Sequence, residues 1–310
     1  MTTPVSSFRR FLLLLSTFCL LASGCALPPP SPSLTPTPTP TLTPTPTALP
    51  SPTPWPTPTP EPPDTGWQPL GPGVELRQMR VGTGNVGDPL RYERPAERLT
   101  IVRLDPAVVH FRVHYDPGEP RPVSGWAERI QPLLVVNGGY FTPEDETLTL
   151  LISDGKVWGA LYEREDEDWD FAGLLGLFAV TADGQVSVRW LGDRPYDPAE
   201  PLREALQSFP VLVKPGGVMG FPPDAEEGPP ARRTVVAQDR QGRILFIIAP
   251  RGYFSLLQLA RFLADSDLDL DVALNLDGGR STGLWLETNE RPVRIDSIVP
   301  VPSVISADYH

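Results

Sequence analysis

The sequence predicts an α+β fold: a single domain with a mixed, largely antiparallel sheet and about three packed helices, preceded by a disordered Pro/Thr-rich stalk. Three observations lead to this prediction. After residue 66 the sequence changes to short apolar runs separated by Gly, Pro and Asp, and one of them alternates like a half-buried strand. Three later segments each join a helical pattern to a buried strand that ends at paired glycines. Seventeen of the 41 prolines lie within residues 28–63, so that stretch cannot contribute to a core.

The first 24 residues predict a secretory signal peptide. Two arginines precede the apolar run 11–21, which is too short for a comfortable transmembrane helix. Residues 22–25, Ala-Ser-Gly-Cys, resemble a bacterial lipobox, in which the cysteine is lipidated and becomes the new N-terminus. We therefore expect a lipid anchor at Cys25 and an extracytoplasmic protein tethered to the bacterial cell membrane. The alternative is cleavage near Ala26, which leaves a secreted protein.

Residues 25–66 predict a disordered linker, because Thr-Pro repeats favour polyproline II and bury nothing. Residues 67–310 then form the folded domain, which is long enough for a substantial single core. Both cysteines, Cys19 and Cys25, precede this domain, so it contains no disulfide, thiol nucleophile or Cys-based metal site. The net charge of −12 repels phosphate backbones and argues against nucleic-acid partners. No pattern in the sequence indicates an oligomeric state.

Residues 108–115 predict an antiparallel strand with one buried face. His110 and His114 fall on the other face, together with Arg112. Two histidines four apart on a strand are further from each other than a metal pair usually is, so we interpret them as solvated. We predict no metal site and no cofactor.

Three later segments share one organisation, a helix followed by a strand and paired glycines. In chain order they are helix 124–130, capped by Ser124, with strand 133–136; helix 199–209 with strand 211–213; and a helix that follows a Ser255 cap, with strand 272–276. Paired glycines at a strand end permit a tight turn or the close approach of a ligand to bare backbone.

Polar residues accompany the first and third glycine pairs. Asn275 and Asp277 are two apart, so they project from one face of a strand amid apolar residues. Asn137 stands at the equivalent end of the first segment. Buried polar groups are costly unless they are satisfied, so such positions are turns or sites. Asp277-Gly278 is also a hairpin signal, and residues 282–286 after it look like a strand.

Arg232 and Arg233 precede a predicted antiparallel pair, 234–237 and 243–249, joined by a turn at 239–242. A guanidinium binds phosphate or carboxylate through two parallel hydrogen bonds, so on an acidic protein the arginine pair indicates a local anion clamp. A solvated strand edge explains the two residues equally well.

Four short motifs follow one another along the domain. They are Asn137-Gly138-Gly139-Tyr140-Phe141, then Ser208-Phe209-Pro210-Val211-Leu212-Val213, then Arg233-Thr234 with Gly242, and finally Ala273-Leu274-Asn275-Leu276-Asp277-Gly278-Gly279-Arg280-Ser281. In this order they resemble the phosphodiester glycosidase family, and the similarity spans about residues 99–306. The resemblance implies hydrolysis of the bond between a sugar's anomeric carbon and a phosphodiester.

The resemblance also implies which residues form the site. Catalytic roles fall on Asp277, Arg233, Asn137 and Asn275, and substrate-binding roles on Gly138, Gly139, Gly278, Gly279 and Ser281. We add Arg232, from the arginine pair, and Arg280 as further substrate-binding candidates. A carboxylate such as Asp277 stabilises oxocarbenium character at the sugar or attacks it as a nucleophile. Arg233 neutralises the departing phosphate. Arg280 stands where many relatives have a third glycine or a small residue. Candidates for a second carboxylate are Glu144, Asp145, Glu146 and Asp154.

Together these features predict an exported hydrolase that cleaves sugar-1-phosphodiester linkages in envelope or environmental polysaccharides. Its partners are a carbohydrate or glycosyl-phosphodiester substrate and, through Cys25, the membrane. A hypothesis from a different class is a non-catalytic carbohydrate-binding lipoprotein involved in exopolysaccharide assembly, with turnover lost through changes such as Arg280. With only His110, His114 and His310 available, the sequence offers no Ser-His-Asp set. We interpret the acidic run 163–170 as solvated surface.

Overall fold

The structure is a computed structural model, and it describes residues 63–82, 96–163, 173–222, 225 and 228–310. All of them belong to one compact unit, Thr59–His310. The predicted signal peptide, Cys25 and nearly all of the predicted linker lie outside the described residues, as does all but the first residue of the acidic run. In the described residues, none of the helices is long and apolar enough to span a membrane.

Strands are the commonest regular secondary structure of the described residues. In chain order the elements are β1 (Gln68–Gly71), β2 (Val74–Gly82), β3 (Ala96–Leu104), β4 (Val109–Tyr115), α1 (Val123–Ile130), β5 (Leu134–Asn137), β6 (Leu151–Ser153), β7 (Lys156–Trp158), β8 (Gly176–Thr181), β9 (Val186–Trp190), β10 (Leu202–Ser208), β11 (Val211–Lys214), β12 (Val218–Met219), β13 (Ala231–Asp239), β14 (Ile244–Phe254), α2 (Leu256–Asp265), β15 (Leu270–Asn275), a 3₁₀ turn (Gly279–Ser281), β16 (Leu284–Leu286), β17 (Val293–Ile295) and β18 (Ser303–Tyr309).

The predicted α+β fold with about three helices is therefore wrong, since the described part of the chain has two α-helices among three sheets. The largest sheet has eight strands in the order β1-β2-β3-β14-β13-β15-β11-β12. Two five-stranded sheets have the orders β7-β6-β10-β8-β9 and β17-β16-β5-β18-β4. Each strand pairing within these three sheets is antiparallel.

The core lies on both faces of the eight-stranded sheet. On one face, which we call the inner face, Phe246 of β14 belongs to the same apolar cluster as Leu206 of β10 and Val136 of β5. On the opposite face, Ile247 packs in a second cluster with Leu259 of α2. Central strands buried on both faces have continuous apolar runs rather than alternation, as β14 does from Ile244 to Ala249.

Two helices form where they are predicted, and one of them has the predicted cap. Ser255 accepts a hydrogen bond from the N–H of Gln258, whose side chain accepts one from the N–H of Ser255, so the two residues form a capping box at α2. The cap predicted for α1 is wrong. Its N-cap is Pro122, and Ser124 lies inside the helix, where its hydroxyl donates to Asp296.

The helix predicted at residues 199–209 is wrong, because this segment contains strand β10 between β6 and β8. Its helical spacing of apolar residues comes from a strand buried on both faces. Two buried polar residues of β10 have hydrogen-bond partners. Glu204 accepts from the N–H groups of Val113 and Asp154, and Gln207 accepts from that of Tyr162. Tertiary packing thus overrides local helix propensity.

The strand predicted at 108–115 is confirmed as β4. Val109, Phe111 and Val113 are buried, whereas Arg112 is exposed. The imidazole Nε2 of His114 lies 2.8 Å from the Ser306 hydroxyl of the neighbouring strand β18. The hairpin at Asp277-Gly278 does not form, because β16 pairs with β5 and β17 rather than with β15.

Candidate active site

Polar ends of strands from two sheets meet at one place in the fold. The contributing segments are the end of β5, the link between β10 and β11, the start of β13, the end of β15 and the 3₁₀ turn. Direct contacts join them, since Asn137 bonds to Asp277 and to Thr234, and Asn275 bonds to Tyr140 and to Phe209. The four predicted motifs therefore come together in space, except for Gly242, which lies in the turn between β13 and β14.

Asn137 is fully buried and holds the segments together. Its Nδ2 donates to the carbonyl of Asp277 at 2.8 Å and to that of Gly138 at 3.3 Å. Its Oδ1 accepts from the hydroxyl of Thr234 at 2.8 Å and from the N–H of Gly283 at 3.1 Å. Both ends of this amide are satisfied by the protein itself, so Asn137 positions the loop that carries Asp277.

Asn275 is also fully buried, and it faces a pair of stacked aromatic rings. Its Nδ2 donates to the hydroxyl of Tyr140 at 2.8 Å and to the carbonyl of Phe209 at 3.1 Å. The rings of Tyr140 and Phe209 stack with centroids 4.6 Å apart, and Tyr162 stacks on the far side of Phe209 at 5.6 Å. The Oδ1 of Asn275 is buried and has no hydrogen-bond partner among the described residues. Asn275 therefore fixes Tyr140 and leaves one acceptor unused.

Asp277 carries the one carboxylate at the centre of the site as the structure describes it. Burial raises its pKa to about 6, although hydrogen bonds from the Ser281 side chain and the N–H of Gly278 act in the opposite direction. The cause is desolvation and not a second carboxylate. At neutral pH the group is mostly ionised, but it has lost part of its hydration. Such a carboxylate is a stronger base and nucleophile than one in water.

Arg233 lies on the same face of the eight-stranded sheet as Asn275, since Val235, two residues along β13, pairs directly with Asn275. Its Nε donates to the carbonyl of Phe254 at 3.3 Å and one terminal nitrogen donates to that of Pro229 at 2.9 Å. Burial lowers its pKa, and the main opposing influence is the hydroxyl of Tyr140. No described carboxylate lies within salt-bridge distance of this half-buried cation.

Both charges act on Tyr140. Burial is the main reason that the pKa of its phenol is raised; the negative charge of Asp277 raises it further, and the positive charge of Arg233 opposes this. Asp277 and Arg233 do not pair with each other. The site thus presents a carboxylate and a guanidinium near a phenol that stays protonated.

Arg232 points to the inner face of the sheet and binds backbone. One terminal nitrogen donates to the carbonyls of Thr282 at 2.8 Å and Asp296 at 3.0 Å, which anchors the loop after the 3₁₀ turn. Its Nε is buried and lacks a partner among the described residues. The two arginines therefore have different roles: Arg233 lies on the face of Asn275, and Arg232 holds the loop after the 3₁₀ turn.

The four site glycines have different reasons for being glycine. A Cβ on Gly138 would lie 2.9 Å from the carbonyl oxygen of Ser303, and one on Gly278 would lie 2.8 Å from that of Arg232. Gly139 packs close to Leu206. Gly279 has φ +59 and nothing within 4 Å of its Cβ position, so it faces open space. Its neighbours differ as well, since Arg280 is exposed and Ser281 is buried.

The candidates for a second carboxylate lie outside these contacts. Glu144 and Glu146 are exposed in the loop after Tyr140, and the charges of Asp145 and Glu146 act on Tyr115. Asp154 is exposed and paired with Arg203 at 2.8 Å. Across the described ranges, no group of three or more His, Cys, Asp or Glu residues has the arrangement of a metal site.

Sequence reasoning assigned no role to Tyr140, Thr234, Phe209 or Tyr162. The first three lie within the motifs, beside the residues to which roles were assigned. Tyr162 lies outside every motif and reaches the site only because Gln207 of β10 bonds to its backbone on both sides, at 2.8 Å each. No local pattern marks that residue.

The strand-end cluster of Asn, Asp and Arg lies within a segment that sequence comparison assigns to a family. The family model for phosphodiester glycosidases matches residues 131–306, so the chain belongs to that family. The match includes every proposed site residue. No curated protein is significantly similar in sequence to the chain.

Two solved structures have a related fold. One is the zebrafish N-acetylglucosamine-1-phosphodiester alpha-N-acetylglucosaminidase catalytic domain auto-inhibited by its pro-peptide, with a TM-score of 0.55, 19% identity, and coverage of 77% of this chain and 85% of that one. The other is a hypothetical protein from Synechocystis, with a TM-score of 0.50, 16% identity, and coverage of 77% and 62%. At these identities the likeness concerns the fold.

Proposed function

We propose that the chain is an exported hydrolase that cleaves glycosyl-phosphodiester linkages, with Asp277 and Arg233 as its catalytic residues. Membership of the phosphodiester glycosidase family supports the reaction class. The single observation that carries the residue roles is the pair of uncompensated charges. A half-buried carboxylate and a half-buried guanidinium lie near the same phenol and do not neutralise each other.

The two charges match the two ends of the bond that breaks. Cleavage of the bond between the anomeric carbon and the phosphate oxygen leaves positive character on the sugar and negative charge on the phosphate. An ionised Asp277 stabilises the first, either electrostatically or by adding to the anomeric carbon. Arg233 binds the second through parallel N–H groups, as guanidinium does with phosphate.

The balance of the reaction needs only water as a co-reactant. The water oxygen ends on the anomeric carbon, one of its protons leaves to solvent through Asp277, and the phosphate departs as a monoester. Because a phosphate monoester is a good leaving group, Arg233 takes the place of the usual general acid. Asn275 donates to the hydroxyl of Tyr140, the phenol on which both charges act.

The location of the enzyme is part of the proposal and rests on the leader sequence. Residues 1–24 have the charge and hydropathy pattern of a signal peptide, and Cys25 follows a lipobox-like segment. Lipidation of Cys25 then tethers the protein outside the cytoplasm, with residues 25–66 as the spacer. Mass spectrometry of the membrane fraction would test this point, because a diacylated Cys25 differs in mass from a chain cleaved near Ala26.

The experiment for the activity uses the full chain and an α-linked N-acetylglucosamine phosphodiester. We expect release of sugar and phosphate monoester in equal amounts, and no release by Asp277→Asn purified in parallel. Saturable sugar binding without release by the parent would identify a non-catalytic binding protein instead. Neither binding nor release on this and other glycosyl phosphodiesters would overturn the proposal.

A further inference from the structure

A cavity of about 320 Å³ lies outside the candidate active site, between the inner face of the eight-stranded sheet and β17. Its walls come from β2, β3, the end of β14 and the segment 291–295. Four arginines contribute to it, Arg98, Arg251, Arg291 and Arg294, with Gln78 and Thr100 as neutral polar residues. On a chain of net charge −12, this is a local concentration of positive charge.

Two of these guanidinium groups share one neutral acceptor. The Oε1 of Gln78 accepts from Arg98 and from Arg291, at 2.9 Å each. Arg291 also donates to the side-chain oxygen of Gln68. Two cations brought to the same amide oxygen repel each other.

Two acidic residues near these arginines, Glu97 and Glu287, already have partners. Glu97 is fully buried, and its carboxylate accepts from the backbone N–H groups of Arg98, Arg251 and Tyr253, at 3.0 Å each. Glu287 pairs with Arg294. Within the described ranges, neither Arg251 nor Arg291 has a carboxylate at salt-bridge distance from its guanidinium group. Among the described residues, the guanidinium group of Arg251 donates only to the carbonyl of Ala96, at 3.1 Å, and this side chain is exposed.

We propose that this cavity is a second anion site that binds a phosphate group of a ligand. Phosphate fits better than a carboxylate because its oxygens can accept from several guanidinium groups at once, whereas one carboxylate satisfies one fork. The volume exceeds that of a lone phosphate, so it also holds part of the molecule that carries it. The ligand is therefore inorganic phosphate, a phosphate monoester, or a phosphate unit of an anionic glycan.

The cavity is a neighbour of the candidate active site but shares none of its residues. Thr100 pairs with Ile248 of β14, which pairs with Thr234 of β13. Ile295 in the cavity wall precedes Asp296, whose carbonyl accepts from Arg232. In a glycan with repeated phosphates, the phosphate that follows the one at the active site would lie towards this cavity. That use rests on the proposed function, whereas phosphate binding itself does not.

Calorimetric titration of the full chain with inorganic phosphate, at constant ionic strength, tests the site. We expect saturable binding that weakens at least tenfold in the double variant Arg251→Gln/Arg291→Gln. The matched control is Arg112→Gln, which removes an exposed arginine of β4, at the opposite edge of its sheet from β17, and should change affinity less than twofold. Arg251→Gln alone alters only an exposed side chain, so it reports on the site even if the double variant is unstable.

Arg233→Gln separates the two anion sites. Phosphate binding that persists in Arg233→Gln and is lost in the cavity variants supports the proposal, whether or not the chain hydrolyses any glycosyl phosphodiester. Absence of saturable binding in the parent, unchanged binding in the cavity variants, or loss through Arg233→Gln alone would overturn it.

Kinetics with two substrates then identify the source of the phosphate. If the site holds a second phosphate of the glycan, the double variant raises KM at least fivefold for a substrate with repeated phosphates and leaves KM unchanged for a single-phosphate substrate. If both KM values are unchanged while phosphate binding is lost, the ligand is free phosphate or a monoester. Both outcomes support the anion site.

Discussion

The two asparagines of the motifs, Asn137 and Asn275, each end a strand, β5 and β15, but they have different surroundings. Asn137 is satisfied at both ends of its amide by Thr234, Gly283 and two carbonyls. Asn275 has a free buried acceptor and holds Tyr140 near the unpaired charges of Asp277 and Arg233. We call the first group of contacts the scaffold side and the second the charged side. A motif residue that the protein satisfies completely contributes structure, and one with unused bonding capacity is available to a ligand.

The largest effect should follow from removing the guanidinium on the charged side. Arg233→Gln should lower kcat at least about 100-fold, equivalent to about 2.7 kcal/mol of transition-state stabilisation. Its thermal midpoint should not fall, because Arg233 forms only two backbone hydrogen bonds and is desolvated without a counter-charge. Steady-state kinetics beside Arg112→Gln would check this. Equal loss of activity in Arg233→Gln and Arg112→Gln would show that the effect does not depend on the position of Arg233 on the charged side.

On the scaffold side we expect a loss of stability instead. Asn137→Ala leaves the hydroxyl of Thr234, the N–H of Gly283 and the carbonyl of Asp277 without their partner. The free energy of unfolding should fall by about 2–4 kcal/mol, because each buried polar group left unpaired is costly. Denaturant titration measures this, and Asn289→Ala, at an exposed position, is the control within about 0.5 kcal/mol. Asn137→Ala at full stability would show that it is not a scaffold residue.

The two glycine pairs extend the same contrast. A Cβ at Gly138 would lie 2.9 Å from the backbone oxygen of Ser303, which cannot move freely within β18, so Gly138→Ala should cost about 1–3 kcal/mol. Gly279→Ala meets no atoms within 4 Å, and only its φ of +59 opposes the change, which should cost about 1 kcal/mol. Chemical denaturation of both variants would rank them. The opposite order would contradict the packing argument.

A gain of stability is expected from one change on the charged side. The folded-state pKa of Asp277, about 6, lies above its ordinary value, so the folded protein binds the proton more tightly than the unfolded chain does. Stability therefore falls as pH rises from about 4 to about 6, and the penalty is complete above that range. Asp277→Asn should raise the unfolding free energy by about 1–2 kcal/mol at pH 8 and have little effect near pH 4. A destabilised variant at pH 8 would mean that the hydrogen bonds of the carboxylate outweigh its burial.

Local signals predicted part of the fold correctly. Helix α2 has a Ser cap, a Gln three residues later and a regular apolar stripe, and all three belong to the helix itself. Residues 202–208 have the same apolar spacing, yet they form a strand, because their partners β6 and β8 lie 21 to 57 residues away. A single sequence contains no record of those partners.

For the site, motif order located the segments that meet. Their roles depend on which face of a strand each side chain occupies and on which hydrogen bonds the protein already makes. Arg232 and Arg233 are adjacent in sequence but lie on opposite faces, and only the structure shows that one binds the loop backbone. Tyr162 contributes through the side chain of Gln207, a contact that no spacing rule predicts.

The pH dependence of kcat/KM in the full chain and in Ser281→Ala tests the central claim, that the buried carboxylate of Asp277 drives catalysis in its ionised form. We expect kcat/KM to rise with pH, with a midpoint near the Asp277 pKa of about 6. Removing the Ser281 hydroxyl removes a hydrogen bond that lowers this pKa, so the midpoint should move to higher pH in the variant. A profile without a rise between about pH 5 and 7, or a midpoint that Ser281→Ala does not move, would contradict the account.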